Sequence, residues 1–207
     1  MVSDAGFSAI YYLVQDNVVM SGPKKYHELV HESKDKDYYT PEYALEYVKD
    51  WLMDYKDKKV WECCCGKGHI TRWLQKQGFT DIIQTDLKET GHDFYTYEPD
   101  EYDVIITNPP FKNKRMFIER CLSLKKPTFI LLPTMTLESN TIRPSLKPLG
   151  KDFGIILPPK SIHYIPSEVW EKNPEKTDKL TLRESRTFFH SSWFTFFIPS
   201  SSGIQLL

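Results

Sequence analysis

No stretch of this 207-residue chain is apolar for anything near the roughly 18 residues that a membrane-spanning helix needs. The amino terminus lacks a basic start followed by an apolar core, so no leader is legible and a cytoplasmic location is the default expectation. Charge of one sign is equally scarce. Lys and Arg number 27 against 28 Asp and Glu, a formal net charge of −1, so any polyanion partner must be held by a local basic patch and not by a global field. Cysteine is limited to four residues, three of them consecutive. Neighbours on a strand point to opposite faces, so Cys63, Cys64 and Cys65 cannot converge on one metal, and His69 does not supply the usual ligand spacing. Buried free thiols and no metal are the expectation. What remains, 40% hydrophobic and 27% charged residues, is the make-up of a soluble globular domain long enough to bury a sizeable core.

The most informative stretch is Asp103 to Phe111, reading Asp-Val-Ile-Ile-Thr-Asn-Pro-Pro-Phe. Val104, Ile105 and Ile106 make the short β-branched run of a buried parallel strand, and Pro109 and Pro110 cannot continue its ladder. Asn108 is thereby placed at the carboxyl end of a central strand, where open α/β sheets bind ligands. A polar amide followed by two rigid residues and an aromatic ring, Phe111, reads as a site; taken alone, the tetrapeptide reads equally well as a turn. Just beyond lies a basic patch, Lys112, Lys114, Arg115, Arg120, Lys125 and Lys126 against the single acid Glu119. It reads either as a phosphate-facing surface or as a solvated helix face.

In chain order, residues 1–37 form an extension in which Ala9–Val14 and Val18–Met20 suggest a hairpin, either an accessory element touching substrate or an edge packed on the main sheet. At Thr40 a helix start is legible: Thr40 as N-cap, Pro41 at the first helical position, Glu42 in the first turn, then an apolar stripe running to Tyr55. Lys59–Ile70 is an apolar strand that ends in Gly66 and Gly68 and passes into a helix over Ile70–Gln77, stopped by Gly78. Glycines at such a turn allow close approach to the backbone beside free helix N–H groups, and Glu62 sits on its strand side. Asp86 ends the next strand, 24 residues beyond Glu62. An acid about 20 residues past a glycine-rich turn is the arrangement that holds the vicinal ribose hydroxyls of a nucleotide cofactor. In Gly91–Phe94, Asp93 is a candidate acceptor for an adenine amino group and Phe94 for packing on the ring; the stretch reads equally well as a polar loop. Further strands at 127–132, 151–157 and 190–198 and a helix ending near Leu124 give an alternation of strand and helix that argues for a doubly wound, mostly parallel sheet. Ser167–Arg186 reads as a mobile surface loop and 199–207 as a fraying tail, leaving 38–198 as the domain.

Together these residues resemble the Rossmann-like S-adenosylmethionine-dependent methyltransferases, and within them the enzymes that modify the exocyclic N6 of adenine. The order is Thr40-Pro41, then Glu62 with Gly66 and Gly68, then Asp86 and Asp93, then Asn108-Pro-Pro-Phe111. The small adenine methyltransferases of phages and large viruses are the nearest likeness, down to Ile162-His-Tyr164 after two prolines. The resemblance implies an α/β, class I methyltransferase-type doubly wound, mostly parallel seven-stranded sheet with helices on both faces and an antiparallel last strand. It implies S-adenosylmethionine as cofactor, with Thr40 (beside Pro41) on the methionine carboxylate, Glu62 on its amino group, Gly66 and Gly68 giving close approach, Asp86 on the ribose and Asp93 with Phe94 at the adenine. For catalysis it implies Asn108 and Pro109 accepting hydrogen bonds from the target amine, Pro110 holding the turn and Phe111 stacking on the base. Tyr164 would pack on the base edge, and Lys112, Lys114 and Arg115 would meet the phosphates of a nucleic acid, DNA before RNA. The cofactor turn departs from the family pattern in Cys63–Cys65 and Lys67, and no separate target-recognition domain is visible.

A protein glutamine amide poses the same chemical problem as adenine and is the third substrate class, after DNA and RNA; Phe111 favours a nucleobase. A non-catalytic binding module would not need all the cofactor acids together with Asn-Pro-Pro-Phe. A nicotinamide dehydrogenase would place a third glycine where Thr71 stands.

Overall fold

The structure, a computed structural model, describes residues 38–172 and 190–207. Six α-helices and nine strands follow in it. They are β1 (Tyr38–Tyr39), α1 (Glu42–Glu46), α2 (Lys49–Met53), β2 (Val60–Glu62), α3 (His69–Lys76), β3 (Ile82–Gln84), β4 (Val104–Thr107), α4 (Lys114–Leu124), β5 (Thr128–Pro133), α5 (Arg143–Leu146), β6 (Phe153–Leu157), β7 (Ile165–Pro166), α6 (Ser167–Lys172), β8 (Ser191–Phe196) and β9 (Gly203–Leu206). The expected hairpin in 1–37 and most of the expected 167–186 loop lie outside the described residues; the first six residues of that loop are α6.

Seven strands form one sheet in the order β3-β2-β4-β5-β8-β6-β9. Strands β2, β3, β4 and β5 run parallel, β8 runs antiparallel to both β5 and β6, and β9 runs parallel to β6. Strand alternation divides the core into two layers. Val60, Val104, Ile106, Phe129, Leu131 and Trp193 face Leu45, Leu52, Trp73 and Leu74 of α1, α2 and α3. Trp61, Ile105, Ile130, Leu132 and Phe194 face Phe117, Ile118, Cys121 and Leu146 of α4 and α5. Helices on both faces of a mostly parallel seven-stranded sheet are thus observed.

Three expectations are corrected. The single helix from Thr40 to Tyr55 is two short ones, because the backbone leaves the helical region at Val48 (φ −119°, ψ 10°), whose side chain is fully buried. Pro41, extended at φ −70° and ψ 148°, stands just before α1, and no side chain caps that helix. The antiparallel strand is not last: the 199–207 segment turns at Gly203 (φ +82°) and adds β9 at the sheet edge. That edge is tightly built, since a Cβ on Gly154 of β6 would lie 1.8 Å from the Ser201 carbonyl oxygen.

Candidate active site

β4 stops at Thr107 because the two prolines that follow Asn108 have no N–H to offer a ladder. Asn108 therefore stands at the carboxyl edge of a strand flanked by β2 and β5. Its Nδ2 donates to Thr40 Oγ1 at 3.0 Å, whereas its Oδ1 is buried and meets no donor among the described residues. A buried acceptor without a partner costs about 1–3 kcal/mol. This carbonyl is therefore a candidate to accept an N–H from a ligand. Pro109 is buried and Pro110 exposed. Phe111 is half-buried with its ring edge-on to Tyr164, centroids 5.8 Å apart at 70°. Tyr164 has no exposed surface, so it backs Phe111 from inside and does not reach a substrate edge as the resemblance implied.

The glycine turn joins β2 to α3 through two positive-φ residues, Gly66 (+47°) and Gly68 (+75°), conformations that glycine adopts without a Cβ penalty. Asp86 closes it from the end of β3: Oδ2 accepts from the Gly66 N–H at 3.1 Å, and Oδ1 from Lys88 N at 2.8 Å and Glu89 N at 3.3 Å. A carboxylate offers about four lone-pair sites. Three are thus engaged, which leaves room for one ribose hydroxyl and not the two that were expected.

Glu62 and Phe94 do not face the cleft. Glu62 is 1% exposed; its Oε2 accepts the Thr71 N–H at 3.0 Å and the Thr71 hydroxyl through a short contact, so it anchors the first turn of α3. Burial pushes its carboxyl up to about 8, against the pull of the two Thr71 hydrogen bonds. Phe94, 5% exposed, stacks on Phe117 at 4.2 Å and leans on Trp61, which makes it a core residue. Asp93 is half-buried and turns the chain, its Oδ1 accepting from Tyr95 N at 3.0 Å. The exposed apolar groups beside these acids are Leu87 (65%) and Tyr95.

Of the basic residues, Lys114 Nζ donates to the Phe111 carbonyl at 3.0 Å, Arg115 pairs with Glu119 at 2.8 Å and Arg120 with Glu98 at 3.0 Å. Lys126 lies over the Tyr102 ring. Lys112 is exposed, with no acceptor among the described residues. Cys63, Cys65 and Cys121 are buried, Cys64 is half-buried, all four are free, and burial raises the Cys65 thiol to about 12. Among the described residues no group of three His, Cys, Asp or Glu side chains is placed to hold a metal, and no helix is long and apolar enough to cross a membrane.

An aromatic cluster at the glycine turn was not legible in the sequence. Tyr39 of β1 stacks on His69 at 4.5 Å and 15°, and Trp170 of α6 meets both edge-on. The antiparallel pairing of β1 with β7 brings these segments together across more than 120 residues of sequence, a distance at which no local pattern signals contact. Burial and the neighbouring Arg72 guanidinium lower His69 to about 4, so its ring is neutral at pH 7. A cleft of about 440 Å³ opens beside the turn, walled by Lys67, Gly68, Thr71, Arg72, Gln84 and others. Neither Asn108 nor Asp93 borders it, so it is not where the Asn108 carbonyl would meet a substrate.

No protein-family model matches the chain, and no curated protein sequence does. Among solved structures, the methyltransferase subunit of a type I restriction-modification system from Streptococcus thermophilus is similar over 83% of this chain and 47% of its own length, at 16% identity and a TM-score of 0.51. The fold is the class I methyltransferase fold. This chain thus spans about half of that subunit. An S-adenosylmethionine-dependent methyltransferase from Mesorhizobium loti is similar over 72% of this chain and 94% of its own, at 12% identity and a TM-score of 0.38. Identities this low speak for the fold alone.

Proposed function

We propose that the protein is an S-adenosylmethionine-dependent methyltransferase that acts on the exocyclic N6 of adenine in DNA. The observation that carries this reading is the buried Asn108 carbonyl, without a donor among the described residues and held at the carboxyl edge of β4 by an amide nitrogen already bound to Thr40. An acceptor presented in this way fits a planar N–H.

The chemistry gives the acceptor its use. Adenine's amino nitrogen is a poor nucleophile because its lone pair is delocalised into the ring. When the Asn108 carbonyl and the Pro109 backbone carbonyl each accept one N6–H, the nitrogen is drawn toward a tetrahedral shape and its lone pair is freed. Phe111, braced by Tyr164, holds the base plane. The proton leaves after the nitrogen has been alkylated, so no strong general base is needed beforehand. A duplex base must be flipped to reach this depth, at about a few kcal/mol that stacking offsets.

S-adenosylmethionine, when bound, supplies the electrophilic methyl group. The residues present fit it in part. Gly66 and Gly68 allow close backbone approach, Asp86 keeps one acceptor site for a ribose hydroxyl, and Thr40 keeps its hydroxyl proton for the methionine carboxylate. With Phe94 in the core, exposed Leu87 and Tyr95, close in sequence to Asp86 and Asp93, are the apolar groups left to meet the adenine ring. Lys112, exposed just past Phe111, is a cation available for a substrate phosphate. DNA is the first choice of polymer, and the likeness to a restriction-modification subunit is compatible with it.

Incubation with methyl-labelled S-adenosylmethionine and DNA, RNA or protein tests this reading. Label recovered as N6-methyladenine from DNA supports it. Label in RNA or on glutamine redirects the substrate, and no transfer to any polymer removes the activity.

A further inference from the structure

Orientation of the Asn108 carboxamide decides whether the site works, and a carboxamide has two orientations of nearly equal shape. With Nδ2 toward Thr40, the carbonyl faces the target amine as an acceptor. Flipped, Nδ2 would face the amine, donor against donor, and the N6–H not taken by the Pro109 carbonyl would find no acceptor. Something has to select the first arrangement.

We propose that Thr40 is the positioning residue that makes this selection, an inference that rests on the assignment of Asn108 above. The contact joins residues 68 apart in sequence, Asn108 Nδ2 donating to Thr40 Oγ1 at 3.0 Å. Thr40 is 4% exposed, so bulk water does not orient its hydroxyl. Its backbone is pinned on both sides. Tyr38 and Tyr39 pair with Pro166 and Ile165, and the Pro41 carbonyl accepts from Ala44 N at 3.0 Å. Its branched Cβ further restricts χ1.

A hydroxyl has one proton and two lone pairs. Once the Thr40 proton is donated elsewhere, only lone pairs face Asn108, and only Nδ2 can meet them. The carboxylate of the cofactor's amino-acid end is the group that would accept that proton. Cofactor occupancy then fixes the amide with its carbonyl toward the substrate, so one hydroxyl couples the two halves of the site. The Thr40-Pro41 pair thus serves the catalytic amide as well as the cofactor, and needs no helix cap to explain it.

The test measures equilibrium binding of a short single-stranded DNA containing one adenine, against the same DNA with purine, which lacks the amino group, in the presence of S-adenosylhomocysteine. Wild type and Thr40→Ser are expected to prefer adenine about tenfold. Thr40→Val and Asn108→Ala are each expected to lose that preference, and the double variant to lose no more than either single one. If Thr40→Val melts early, Thr40→Ala carries the same expected loss. Full preference in both Thr40→Val and Thr40→Ala, with none in Asn108→Ala, overturns the Thr40 role and leaves Asn108 in place. Preference retained in Asn108→Ala overturns the assignment on which the role depends. Calorimetry of S-adenosylhomocysteine gives the cofactor side: a Thr40→Val affinity loss with adenine preference intact marks a cofactor contact only, and also overturns the proposal.

Discussion

Two neighbouring strands end at the same edge of the sheet, and their polar residues have opposite fates. Glu62, at the end of β2, has its acceptor oxygen filled by the Thr71 N–H and hydroxyl. Asn108, just past the end of β4, keeps a buried carbonyl with no donor among the described residues. Position in the fold is shared; hydrogen-bond capacity is not. A carboxyl edge only offers a place for chemistry; on the proposed reading the Asn108 carbonyl, unlike the engaged Glu62 oxygen, is the group there that meets a ligand. Asp86 differs from both: it holds the glycine turn through both oxygens but is only half-buried, whereas Glu62 is 1% exposed.

Breaking the filled end should cost stability and not chemistry. Glu62→Ala leaves the Thr71 donors unmet in a buried site and is expected to lower unfolding free energy by about 3 kcal/mol; a change under about 1 kcal/mol in denaturant titration would remove its anchoring role. At the half-buried end, Asp86→Ala should weaken cofactor binding by about 1.5–3 kcal/mol, one charge-assisted hydrogen bond, and also loosen the glycine turn. Calorimetry with unchanged affinity would take Asp86 out of the site.

Glu62→Gln sharpens the contrast through pH. The folded carboxyl titrates near 8 against an ordinary 4.5, so in that window the folded chain binds more protons than the unfolded one, and stability falls as pH rises. The contribution is complete below about 4.5 and lost above about 8. Glu62→Gln keeps the acceptor oxygen and should flatten that decline, leaving the variant more stable than wild type at pH 9 in thermal melts; parallel pH profiles would contradict the protonated, buried carboxyl. The smallest effect expected is that of Lys112→Ala, which should weaken DNA binding evenly across sequences and reduce the salt slope by about 1. A change confined to one sequence context would instead mark Lys112 as a base-reading residue.

Much of this architecture is legible in the residues. The largely apolar runs at 60, 82, 104 and 128 are strands because each is short and stopped by glycine, an acid or proline, and Gly66 and Gly68 mark the turn by the φ they permit. What was not legible is which polar and aromatic groups the fold uses internally. Glu62 and Phe94 have the same local patterns whether they face a ligand or the core, and only Thr71 and Phe117 decide the matter. The Thr40 to Asn108 contact and the Tyr39–His69–Trp170 cluster are tertiary, without periodicity to announce them. β9 was hidden by its serine-rich approach, which reads as a loop until Gly203 reverses it.

The central claim is that the Asn108 carbonyl acts in the transfer step and not in cofactor binding. Single-turnover methyl transfer to an adenine-containing DNA at saturating S-adenosylmethionine, compared between wild type and Asn108→Ala, tests it directly. The rate is expected to fall by about 10²–10³, with S-adenosylhomocysteine affinity within about twofold of wild type. A rate close to wild type, or a loss explained entirely by weaker cofactor binding, would contradict it.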